Sequence, residues 1–346
     1  MPLKPRSLLL SLLAVPGLAA ADVPRVAVDI PPVQSLAAQV MGDLGTPALV
    51  IQPGASPHGY SLRPSEAATL DRADVVFWVG DALTPWLANS LSSLAADATT
   101  VELLDAPGLV RHDVREGATF AAHDHDHSED HAHDHDHDHD HDHDHDHDHD
   151  HDHDHDHDHD HADTHEAAHQ HHHDGLDPHA WLDPRNAQAW LTLMADTLAE
   201  ADPEHAETYR DNAQEARAAL DDLIADVERR LEAAGEPRFI VFHDAYQYFE
   251  RRFGVPAAGA ISLGDASDPS PARIRRVQEQ VSALDVQCVF TEPQFNPDLV
   301  RSVFGDLPVD TSESIDPLGI GHEPGPGLYA GVIEDLADGL SRCAAP

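Results

Sequence analysis

Between His131 and His161 histidine and aspartate alternate without a break except at Ala132, and the histidine-rich stretch around that run extends from His123 to Asp174. Apart from scattered Ala it contains no apolar residue, so it has nothing to bury that offsets the entropy of ordering a chain. No core can pass through it. The run is therefore expected to be a disordered insertion, and any globular structure must be assembled from the residues on either side of it.

Those flanks carry enough apolar residues for a globular fold: the 346-residue chain is 41% hydrophobic. Before the run, short β-branched stretches alternate with helical ones. "RVAVDI", "PALVIQ", "DVVFWVG" and "TTVELL" read as strands, separated by helices over residues 33–42, 64–72 and 83–96. From Arg185 to about Ala233 the pattern is almost wholly helical, broken at "ADPEH", where Pro203 fits the first turn of a second, long helix. A helix of that length can tie two lobes together, or fold back as a hairpin on one of them. A second strand–helix alternation follows: "RFIVF", "AAGAIS", "CVF" and "PVD", with helices over residues 244–253, 270–283, 297–304 and 326–342.

Such alternation implies mostly parallel sheets. The expected fold class is α/β, with two similar α/β lobes joined by a long helix. The boundaries read as residues 22–185 for the first lobe including the loop 123–174, 186–234 for connecting helices and 235–346 for the second lobe. Ligands of such folds lie at the carboxyl ends of strands or between domains.

Residues 1–21 have the form of a secretory signal: Lys4 and Arg6 precede the apolar "LLLSLLAV", and small residues lead to Ala21, so Asp22 is expected to begin the mature chain. The apolar stretch is too short to span a bilayer, and no Cys near the cleavage point offers a lipid anchor. The expected location is the periplasm. Cys288 and Cys343 are the two cysteines. In an oxidising compartment a disulfide between them is expected, with zinc ligation by the thiols as the competing reading.

The formal charge of −44 bounds the partners. Residues 123–174 hold 21 of the acidic side chains and neither Lys nor Arg, which leaves −23 on the rest. Such a surface repels phosphate backbones and anionic headgroups, so nucleic acid and peripheral membrane binding are set aside. Cations remain as natural guests.

Of the 30 histidines, 24 lie between His123 and His173. Outside the run, His112, His205 and His322 sit in a lead-in segment, a polar helix face and a Gly/Pro-rich loop, and read as solvated side chains. His58 in "SPHGYSLRPS", His179 in "DPHAWLDP" and His243 in "FIVFHDAYQYF" share a different context, at strand ends or helix starts where loops of two lobes meet. Three neutral imidazoles suit a borderline divalent ion such as Zn²⁺, and a carboxylate completes a tetrahedron. Asp316 in "ESIDPLG" is the candidate, a turn or cap Asp before Pro317 being the alternative. Within the histidine-rich stretch, His123, His125, His127, His131, His133, His135, His171, His172 and His173 are candidates for an accessory zinc-binding or sensing loop.

"SPHGYSLRPS", "DPHAWL", "FHDAYQYFE", "CVFTEPQF" and "DPLG" occur in this order, and together they resemble the periplasmic zinc-binding components of high-affinity ABC uptake systems, within the cluster A-I metal-binding proteins. The resemblance covers essentially the whole mature chain. It implies His58, His179 and His243 as zinc ligands with Asp316 as the second-lobe aspartate, two α/β lobes with the metal in their cleft, and the Cys288–Cys343 disulfide. It also implies an ABC-transporter permease as partner, zinc as cargo, a monomer and no enzymatic activity. Some zinc members carry a carboxylate just before the first ligand His; here Pro57 stands there, which leaves Asp316 or water as fourth ligand. Manganese-type relatives commonly have Glu at the position of His243, and nitrogen there favours zinc over manganese. The other readings are a different divalent metal, a zinc-sequestering or adhesive surface protein, and a zinc hydrolase. No His-Glu-x-x-His motif supports the last; Glu292 in "FTEPQF" and Asp244 beside His243 are its candidate general bases, but Asp316 as fourth ligand closes the open position it needs.

Overall fold

The computed structural model describes residues 23–115, 120, 175–262, 271–295, 300, 304, 309–311 and 314–344. The expected signal segment 1–21, the histidines of the histidine-rich stretch and the expected helix at 297–304, apart from Val300 and Phe304, lie outside the described residues.

Two parallel sheets form. In the first the order is β2-β1-β3-β4, with β1 at Val26–Val28, β2 at Ala48–Leu49, β3 at Val75–Trp78 and β4 at Thr99–Glu102. Every pairing is parallel, Ala27 lying opposite both Ala48 and Val76. Helices α1 (Pro31–Met41), α2 (Pro64–Asp71) and α3 (Pro85–Leu94) connect the strands, and each starts on a proline. Proline is well suited there, because the first turn of a helix has no use for its missing N–H and needs its fixed φ. All residues of β1 and β3 are buried, as strands covered on both faces must be.

Asp29, at the carboxyl end of β1, is buried within this sheet. Its carboxylate accepts the backbone N–H of Ile30 at 2.8 Å and of Val79 at 2.7 Å, tying the ends of β1 and β3 together. Burial pushes its pKa up to about 7, against the opposing pull of those backbone donors.

The second sheet has the order β6-β5-β7, with β5 at Phe239–His243, β6 at Gly259–Ser262 and β7 at Cys288–Val289, again all parallel. Asp310 in the expected "PVD" strand bridges Cys288, and Ser314 bridges Thr291, extending the sheet by single pairs. Alternation along β5 divides two cores: Phe239 and Val241 face a large cluster shared with the first sheet, whereas Ile240 and Phe242 face a smaller one with Val277, Val281 and Val300. Helices α6 (Gln247–Phe253) and α7 (Pro271–Ala283) follow β5 and β6, and α8 (Leu328–Ala344) ends the chain.

The expected connecting helices are α4 (Pro184–Ala201) and α5 (Ala206–Ala234). The second starts at Ala206, not at Pro203. Asp202 accounts for the shift: its carboxylate faces His205 Nδ1 at 2.7 Å and accepts Tyr209 OH at 3.0 Å, so Pro203 and Glu204 stay in the turn. Both arrangements open in the sequence coexist. α5, roughly 44 Å long at 1.5 Å per residue, packs against α4 as a hairpin and also against α1 and α8. Asn212 donates to Val40 O at 3.0 Å near one end, and Arg230 pairs with Asp338 of α8 at 3.0 Å near the other. Cys288 and Cys343 form a disulfide that ties β7 to α8, with Cα atoms 5.9 Å apart. No described helix is long and apolar enough to cross a membrane.

Candidate metal centre

His58 lies on a single 3₁₀ turn, Pro57–Gly59, that follows β2. Pro57 opens the turn, and Trp86 at the start of α3 donates its Nε1–H to Pro57 O at 2.8 Å. The indole leans on Tyr60, whose hydroxyl donates to buried Glu66 at 2.7 Å; Glu66 also accepts the Arg63 N–H that starts α2. A chain of hydrogen bonds thus holds the histidine turn against two helices of the first sheet.

His179 immediately precedes the 3₁₀ turn Ala180–Leu182. Asp177, two residues earlier, accepts its backbone N–H at 3.0 Å and faces its Nδ1 at 2.8 Å. Burial raises the Asp177 carboxyl to about 7, while the His179 N–H acts to lower it. His243 is the last residue of β5, where Glu292 faces its Nδ1 from both oxygens at 2.8 and 2.9 Å.

With both Nδ1 atoms directed at carboxylates, each ring presents Nε2 inward, and these two nitrogens lie 3.3 Å apart. Lone pairs so placed repel unless a cation or proton lies between them. The spacing is that of two nitrogens on one tetrahedral zinc, about 3.3 Å for bonds of about 2.05 Å. A ligand atom of His58 completes the set: the three side chains offer ligand atoms within 4.8 Å of one another. They line a cavity of about 20 Å³ together with Trp181, Glu292, Phe295 and Leu318, among others. That volume accommodates one ion or one water and little more.

Asp316 is placed otherwise. Its carboxylate accepts Gln294 Nε2 at 2.7 Å and the backbone N–H groups of Leu318 and Ile320, and it is not among the three residues whose ligand atoms converge. In this position it caps the turn that carries Pro317 and Leu318 over the cavity. Trp181 secures the same turn by donating Nε1–H to Pro317 O at 2.8 Å.

The remaining described histidines stand elsewhere. His205 belongs to the Asp202 turn before α5, and His322 pairs with Asp335 at 2.8 Å. His112 is not a plain solvated side chain: it packs on Tyr248 with ring centroids 4.7 Å apart, and burial lowers its pKa. Asp177 serves the site and was not recognised in the sequence; Glu292, a general-base candidate under the hydrolase reading, instead backs His243 Nδ1. The Asp-Pro-His spacing carried a signal for the first. Glu292 lies 49 residues from its partner and is brought to it by the β5–β7 pairing.

A body of two parallel α/β sheets spanned by one long helix, offering imidazoles from both sheets to a cavity of one-ion size, defines a metal-binding protein of the solute-binding type. The chain belongs to the family described as zinc-uptake complex component A, periplasmic, whose profile matches residues 26–343. It is 46% identical to the high-affinity zinc uptake system protein ZnuA of Paracoccus denitrificans, over 99% of this chain and 98% of that one. It is 44% identical to the ZnuA protein of Brucella abortus, over 92% and 91%. Among solved structures, a crystal structure of ZnuA superposes with a TM-score of 0.69 at 18% identity, covering 94% of this chain and 100% of that one. The periplasmic zinc-binding protein TroA of Treponema pallidum gives 0.69 at 16%, covering 93% and 99%. These two show the shared fold.

Proposed function

We propose that the chain captures zinc in the periplasm and delivers it to the permease of an ABC importer, with His58, His179 and His243 as its ligands. One observation carries the reading: the Nε2 atoms of His179 and His243 stand 3.3 Å apart, each ring backed by a carboxylate, with His58 closing the group. Relatives named for high-affinity zinc uptake, matched along nearly the whole chain, support the same cargo. Nitrogen-only donation from the three residues favours zinc over manganese.

The fourth position falls to Asp316 or to water. Asp316 reaches it by exchanging its hydrogen bond from Gln294 for the ion. The signal-like residues 1–21 support export, and the chain works as a diffusible binding component whose loaded form docks on the permease. The histidine-rich stretch 123–174 supplies an accessory pool of zinc: with three or four ligands per ion, its 24 histidines hold at most roughly six to eight ions.

Zinc titration against a competing chelator tests this on the mature chain, a chain lacking residues 123–173, and that deletion carrying His243→Ala. One tight zinc should survive the deletion and vanish with His243. Tight binding that disappears with the run alone overturns the assignment.

A further inference from the structure

The segments from which the His/Asp run departs and to which it returns converge on the metal centre. They form a short antiparallel pair in which Asp113 bridges Leu176, Val114 N–H donates to Gly175 O at 2.7 Å, and Asp177 N–H donates to His112 O at 2.8 Å. This pair ends at Asp177, the residue that orients His179. Against it lies residues 243–250, the turn and first part of α6 that begin at His243. Gln247 donates to Asp113 O at 2.8 Å, and the Tyr248 hydroxyl donates to Asp177 O at 2.9 Å while accepting His112 N–H at 3.1 Å.

Arg115 is the charged strut of this seam. Its guanidinium donates from Nε to both oxygens of Asp244 at 3.0 Å, and from its two terminal nitrogens to both oxygens of Glu250 at 2.6 and 2.9 Å. A further contact joins it to Asp244, and its Cζ lies 3.6 Å from the centroid of the Phe120 ring. Asp244 and Glu250 are both buried. A planar fork with five donors can bridge two carboxylates at once, which a lysine ammonium cannot reproduce.

We propose that Arg115 is a positioning residue for metal capture: by bridging Asp244 and Glu250 it holds the turn that begins at His243 against the strand pair that leads to His179, and so sets the separation of the two ligands. The proposal rests on the reading of the three histidines as the zinc site. Without the guanidinium, two buried carboxylates lose the donor they share, and nothing then ties the turn after His243 to Arg115 and the strand pair. Asp244 is covalently next to His243, so its displacement carries the ligand with it.

Geometry and electrostatics oppose each other here, and this makes the proposal testable. Removing a cation near the site favours a second cation, so a purely electrostatic Arg115 predicts tighter zinc binding in Arg115→Ala. A positioning Arg115 predicts weaker binding. In the full mature chain, chelator competition should show the tight zinc weakened at least tenfold in Arg115→Ala, at a temperature where circular dichroism finds the zinc-free protein folded. Arg115→Lys should recover part of the loss, because an ammonium neutralises one carboxylate without bridging both. Arg230→Ala, which breaks the exposed α5–α8 pair, serves as the control for general destabilisation and should leave zinc affinity unchanged.

Affinity equal to or tighter than that of the parent in Arg115→Ala overturns the proposal, as does an equal loss in Arg230→Ala. If Arg115→Ala does not fold, Arg115→Lys alone decides, a loss of at least threefold supporting the role and parental affinity rejecting it. His243→Ala is measured in parallel. Tight zinc retained there removes the three-histidine reading and this proposal with it; tight zinc lost there but kept in Arg115→Ala rejects the role of Arg115 alone.

Discussion

The carboxylate of Glu292 faces Nδ1 of His243 from both oxygens, at 2.8 and 2.9 Å, and lies 3.3 Å from its backbone N. One acidic side chain therefore sets the tautomer of the imidazole, the direction of its Nε2 and the end of β5. Partners of this kind are worth about 10–100-fold in metal affinity when replaced. Glu292→Gln keeps the size and one acceptor oxygen but loses the charge, so zinc affinity should fall within that range while circular dichroism stays unchanged. An affinity equal to that of the parent chain would show that β5 and the surrounding rings orient His243 unaided.

Trp181 makes a comparable contribution on the other side of the cavity. Its Nε1–H is the donor to Pro317 O at 2.8 Å, and Tyr329 OH donates to its own carbonyl at 2.6 Å. Trp181→Phe retains an aromatic ring but removes the indole donor. A buried carbonyl left without its donor costs about 1–3 kcal/mol, so urea denaturation should show stability reduced by that amount. A change of less than about 0.5 kcal/mol, the usual size for substitutions away from such features, would mean that water or a shifted turn replaces the bond.

Much of this architecture was legible in the sequence because it follows from periodicity. β-branched runs alternating with helical stretches read as parallel sheets, and three histidines at loop positions read as one site, which the structure brings together. The start of α5 was misread because Pro203 commonly opens helices, whereas here the Asp202 carboxylate, bound to His205 and Tyr209, holds the chain in a turn until Ala206. Asp316 shows the limit of motif reading. An aspartate before proline suits both a ligand and a turn cap, and only three-dimensional placement shows its oxygens engaged by Gln294, Leu318 and Ile320. The pairings of Glu292, readable only as a possible general base, and of Arg115 were out of reach for a different reason: their partners lie 49 and 129 or more residues away, and no local pattern encodes such pairs.

The disulfide joins positions 55 residues apart in sequence. Loop-closure entropy for that span gives a stabilisation of about 4 kcal/mol. Replacing both cysteines by serine should lower the unfolding free energy by about 2–4 kcal/mol, read from denaturant midpoints, and leave the tight zinc in place because neither cysteine is among the converging ligands. Loss of tight zinc in a folded double-serine protein would instead make the β7–α8 link part of the site.

Asp29 gives the stability of the chain a pH dependence whose sign is set by burial. Its native pKa of about 7 lies above the ordinary value of 3.8. Between those values the native state holds a proton that the unfolded chain has released, so stability declines as pH rises, at up to about 1.4 kcal/mol per pH unit. This contribution is complete below about pH 4 and lost by about pH 7, a total of about 4 kcal/mol. Asp29→Asn cannot titrate. Its stability therefore lacks this decline, and from pH 4 to pH 7 the parent chain should lose about 4 kcal/mol relative to Asp29→Asn. Urea midpoints measured across that window test it, and parallel curves for the two proteins would show that Asp29 is ionised in the native state throughout.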